Sequence, residues 1–183
     1  MSENISSQSL KTKNLIRSSL LLALAIVLQL IGSKVPQINQ LLVGSSVNAI
    51  LILSAYLCGI SWSISIGVLT PILAWLIGQL ASPLAPFIPF IMIGNIIYIL
   101  CFSLLKKYKN LGIYIGIVLG AFLKFLFLSF SAKKLIHIIN LSIPPKVSAK
   151  LVIAMGIPQL LTALIGGALA LIIIKILAAR NFK

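Results

Sequence analysis

In the stretch GAFLKFLFLSF, Gly120 to Phe130, one lysine, Lys124, interrupts a run of residues suited to hydrocarbon. An ammonium at that depth needs acceptors, and it suits a wet cavity with a bound ligand. A carboxylate would be the natural partner. The chain has 15 Lys and Arg but one acid, Glu3, in the polar N-terminal stretch MSENISSQSLKTKN. Within its own chain Lys124 is therefore left with neutral acceptors: Asn95, Tyr98, Gln159, backbone carbonyls or water. Two bland alternatives stand beside a binding role. The side chain can snorkel to the interface, or the amine can stand uncharged. An anionic or strongly carbonyl-bearing ligand would satisfy the ammonium better than any group the chain supplies.

The remaining groups carry less chemistry. Asn48, Gln79 and Gln159 suit a polar pocket or plain interhelical hydrogen bonds. Trp75 and Tyr98 suit a pocket wall, the core or an interface. His137 and Asn140 fall in a loop and read as solvated. Cys58 and Cys101 lie within or at the end of apolar runs and read as free buried thiols. Gly156, Gly166 and Gly167 read as points of close helix approach. No spacing of Cys and His fits a metal, and no cofactor is expected. An intramembrane enzyme would need acid–base or nucleophilic groups. One His and no membrane carboxylate argue against it.

The elements that must position these groups follow from hydropathy. The chain is 60% hydrophobic with a mean hydropathy of +1.18, which belongs to membrane proteins. Its basic residues stand between apolar runs rather than on one arm, which argues against nucleic acid as a partner and for the lipid bilayer. A spanning helix needs about 20 apolar residues. By that measure the sequence predicts an all-α integral membrane protein with six transmembrane helices, at 14–32, 43–60, 61–80, 87–105, 111–130 and 148–180. Pro71 predicts a kink in the third and Pro158 a bend in the sixth. Residues 1–13 form a polar tail, 14–180 one transmembrane domain and 181–183 a second short tail.

Basic residues set the orientation. With both termini inside, Lys11, Lys13, Arg17, Lys106, Lys107, Lys109, Lys175, Arg180 and Lys183 are cytoplasmic. The smaller set Lys34, Lys133, Lys134, Lys146 and Lys150 is external. This N-in, C-in arrangement assigns depths. Lys124 and Asn95 each lie about two turns from the outer end of their helices, and Tyr98 one turn below Asn95. Asn48 is near the outer end of the second span. Trp75 and Gln79, four residues apart, share a face at the outer end of the third. Gln159 is two to three turns into the sixth. The hydrogen-bonding side chains thus gather in the outer half of the membrane, as if around a pocket open to the outside.

A small, basic, six-span chain of this order resembles the substrate-binding S component of energy-coupling factor (ECF) vitamin transporters, over residues from about 11 to 180. RSSLLLALAIVLQLIG is similar to the family's first helix, where an Ala-x-x-x-Ala motif docks on the coupling subunit. Ser19 and Ala23 stand at those positions, and Ser keeps the side chain small. The resemblance implies a high-affinity binding subunit in the plasma membrane of a bacterium or archaeon. Its pocket would be formed by the fourth to sixth helices and capped by the first loop. It would capture a neutral or anionic vitamin or related micronutrient from outside and pass it inward with a transmembrane coupling subunit and two ATPase subunits. The chain has no GxxxxGK[ST] stretch, so ATP hydrolysis would fall to those partners. The alternative is a stand-alone small-molecule permease or a small structural membrane protein. An ion-driven permease usually wants a membrane carboxylate, which this chain lacks.

Overall fold

Long apolar runs punctuated by Gly and Pro dictate helices here, since only helices satisfy the backbone inside lipid without a closed barrel. The computed structural model describes residues 2–34, 39–138 and 144–180, and within them every regular element is a helix. In chain order, α1 is Ser2–Lys34, α2 Gly44–Leu57, α3 Ile60–Leu76, α4 Ile88–Leu105, α5 Lys109–Phe130, α6 Pro145–Ala154 and α7 Ile157–Ala179. Five stretches are long and apolar enough to cross a membrane: Gln8–Lys34, Gln40–Leu57, Ser82–Tyr108, Leu111–Lys134 and Pro145–Ala179. The third expected span, α3, is apolar but shorter, with 17 residues.

Three boundaries differ from the sequence expectation. The first helix begins at Ser2, so residues expected as a polar tail continue the helix. The second and third helices part at Cys58 and Gly59. Gly59 adopts φ 88°, a conformation that costs other residues about 1–2 kcal/mol. The expected sixth helix is two helices broken at Met155 and Gly156, ahead of Pro158. Asn140, the side chain of His137, part of the first loop and the tail 181–183 lie outside the described residues.

The helix α2 is the hub. It packs on α1, α3, α4 and α7, and buries Asn48 through Ala55 without interruption. The helices α4 and α5 lie closely along each other, and α1 leans on α2 and α3. Two apolar clusters result. The larger, in the middle of the bundle, includes Leu51, Ile52, Ile99, Phe102, Ile117 and Ile174. The smaller one joins Phe87, Leu128, Ala132, Ile136, Leu151 and Met155, where α6 and the connecting segments meet the ends of α4 and α5. Lys124 stands on α5 between Ala121 of the first cluster and Leu128 of the second.

Candidate functional site

Lys124 is 3% exposed, so it does not snorkel. Its Nζ donates to Asn48 Oδ1 at 2.6 Å and to Asn95 Oδ1 at 2.9 Å. The Tyr98 ring lies beneath it, with the centroid 5.7 Å from Nζ, within cation–π range. An ammonium only donates, so both asparagines must turn their carbonyl oxygens toward it and aim their NH2 groups elsewhere. The asparagine NH2 groups are engaged as well. Asn48 Nδ2 donates to Gly44 O at 2.9 Å, one turn back on α2. Asn95 Nδ2 donates to Gly67 O of α3 at 2.9 Å. The Tyr98 hydroxyl donates to Ala163 O of α7 at 2.8 Å. One ammonium therefore ties α5 to α2 and α4 directly, and to α3 and α7 through its partners.

Close backbone approach makes this possible. A Cβ on Gly166 would strike Ser45 O and stand 2.6 Å from Asn48 Cβ. One on Gly167 would strike Ile117 and stand 2.9 Å from the Tyr98 hydroxyl. These two glycines let α7 press against α2 and α5 at the level of the cluster.

Of the residues expected at a pocket, Lys124, Asn48, Asn95 and Tyr98 come together, and the described contacts of Gln159 and Trp75 lie elsewhere. Gln159 lies in the first turn of α7, and its Nε2 reaches Met155 Sδ at 3.6 Å. Trp75 is 39% exposed on α3 and points away from the bundle interior. Gln79 does not share its face, because α3 ends at Leu76 and Gly78 turns the chain with φ 75°. The group that forms is also closed rather than open. Asn48, Asn95 and Lys124 are each 3% exposed and Tyr98 is fully buried.

The structure adds polar contacts that sequence reasoning missed. Gln29 of α1, also buried, donates from Nε2 to Thr70 O of α3 at 3.2 Å. Gln40, in the helical turn Asn39–Val43 that leads into α2, donates to Ala154 O at the break between α6 and α7 at 2.8 Å. The acceptors are main-chain carbonyls near Pro71 and Pro158, and those prolines were the available signal. On α1, Ser19 and Ala23 are both exposed, on a face lined by Leu20, Leu24 and Val27.

No curated protein and no solved structure matches this chain. The family model for the ECF transporter substrate-specific component matches residues 13–178, which runs from within α1 almost to the end of α7 and takes in the Lys124 cluster. On that match the chain belongs to the substrate-specific components of ECF transporters, multi-pass membrane proteins that bind the transported substrate.

Proposed function

We propose that this S component captures an anionic or strongly carbonyl-bearing micronutrient, such as a vitamin, from outside the cell at the Lys124 cluster. The observation that carries the reading is a buried lysine amine held by two asparagine oxygens, with no carboxylate partner among the described residues. An anion would add a charge-assisted hydrogen bond in a low-dielectric site. Leu128 lies one turn beyond Lys124 on α5, so the smaller apolar cluster stands over the site as its cap and must part to admit a ligand. On this reading six helices span the plasma membrane with both termini inside. Release follows association with a coupling subunit and two ATPase subunits, docked at Ser19 and Ala23.

A second reading has an observation in its favour: the ammonium already has two hydrogen bonds and an aromatic face, as a structural fastener would. Mass spectrometry of small molecules retained by the purified protein identifies the ligand, and a titration of Lys124→Met with it separates the two readings. Charge-assisted hydrogen bonds of about 1.5–3 kcal/mol correspond to a loss of roughly 10- to 150-fold in affinity. Unchanged affinity would assign Lys124 to the fastener role.

A further inference from the structure

Asn95 can serve Lys124 only if its amide is held in one of two orientations, and the anchor that holds it is a carbonyl of another helix. That carbonyl is Gly67 O. In an unbroken helix it would accept from the backbone N–H four residues on, at position 71. Position 71 is a proline inside α3, and proline has no N–H. The Gly67 carbonyl is buried, so it needs another donor. Asn95 Nδ2 supplies it from α4, across a helix contact so close that a Cβ on Gly67 would sit 3.3 Å from Asn95 Cβ. With Nδ2 committed there, Oδ1 is left facing Lys124.

A related arrangement occurs at the break between α6 and α7. Ala154 is the last residue of α6, so its carbonyl has no helical donor ahead of it, and it accepts from Gln40 Nε2 at 2.8 Å. In both places a carbonyl without its helical donor is taken by a side-chain amide from a distant element. A kink is the usual account of a proline such as Pro71, but a kink alone does not select Asn95.

We infer that Pro71 is a positioning residue: by withholding an N–H from Gly67 it reserves that carbonyl for the Asn95 amide and so turns the Asn95 oxygen toward Lys124. What this orientation serves rests on the ligand-binding reading above, whereas the orientation itself does not.

The test is NMR of the full chain in lipid nanodiscs, with 15N in the asparagine side-chain amides and in the backbone at position 71, and Asn95→Ala to assign the signal. In the wild-type protein one Asn95 Nδ2 proton is shifted downfield and protected from exchange. Pro71→Ala restores an N–H to Gly67 O, so the Asn95 signals move toward those of a free amide. Exchange then quickens by roughly 2- to 10-fold, the worth of one net hydrogen bond. Pro71→Ser restores the same N–H with a different side chain and gives the same change. Simple repacking around a lost ring would not yield, beside the Asn95 change, an exchange-protected backbone N–H at position 71, which the restored bond to Gly67 O requires in both variants. An unprotected Asn95 amide in the wild type, or one unchanged in both variants, overturns the inference. These signals need no ligand. A full Asn95 response beside unchanged ligand affinity in Lys124→Met would therefore sink the binding reading and leave the positioning role standing.

Discussion

Removing the Lys124 side chain would delete one charge and also strand two oxygens. In Lys124→Met the Oδ1 atoms of Asn48 and Asn95 stay buried and lose their donor, at about 1–3 kcal/mol for each unsatisfied group. Loss of a desolvated charge offsets part of this. The balance falls on the side of destabilisation, because two acceptors are orphaned for one charge removed. Thermal melts in detergent should show a transition lower by several degrees. The two asparagines then behave differently as second sites. Adding Asn48→Leu removes an orphan whose amide returns only to its own helix, so the transition recovers. Adding Asn95→Leu strands Gly67 O, which Pro71 cannot serve, and the transition falls further. Equal melts for the two double variants would contradict this accounting.

At the level of elements, the contact between α2 and α7 sets the position of Asn48. Gly166→Ala would drive a methyl group into Ser45 O and Asn48 Cβ, so the two helices must separate. Overpacking of this kind costs about 1–3 kcal/mol, and the shift carries Asn48 away from Lys124. Thermal stability and ligand affinity should fall together. Gly59→Ala, whose added Cβ meets nothing within 4 Å, should lower stability through backbone strain alone and leave affinity unchanged. The elements themselves were largely legible in the sequence, because an apolar run near bilayer length has few options other than a helix. Counting turns gathered Lys124, Asn95, Tyr98 and Asn48 in one half of the helices, and the four side chains meet. Depth says nothing about which way a side chain faces around its helix, and that is why Trp75 and Gln159 were grouped with them. Gln79 parts from Trp75 for a different reason, since the Gly78 turn ends the helix that would have aligned the two. The pairing of the Gly67 and Ala154 carbonyls with amides from far along the chain depends on tertiary contact, which spacing alone does not encode.

For the whole molecule, α1 presents one face to α2 and α3 and leaves Ser19 and Ala23 exposed on another. A large side chain there meets no neighbour within the bundle, so Ala23→Trp should preserve the melt and ligand affinity. If that face docks on the coupling subunit, the same variant should lose substrate uptake in cells and fail to co-purify the coupling and ATPase subunits. Normal uptake would remove the face from the docking surface. The tie between Lys124 and its two asparagines also bears on how the protein is made. Asn48 and Asn95 both precede Lys124 in the chain, so translation delivers α2 and α4 to the bilayer before α5 leaves the ribosome. A lysine near the centre of an inserting helix costs about 2.5–3.5 kcal/mol, and a chain with its polar partners downstream would bear that cost while it waited. Here the acceptors are already in place when the ammonium arrives, so the order of synthesis itself shelters the charged helix during insertion.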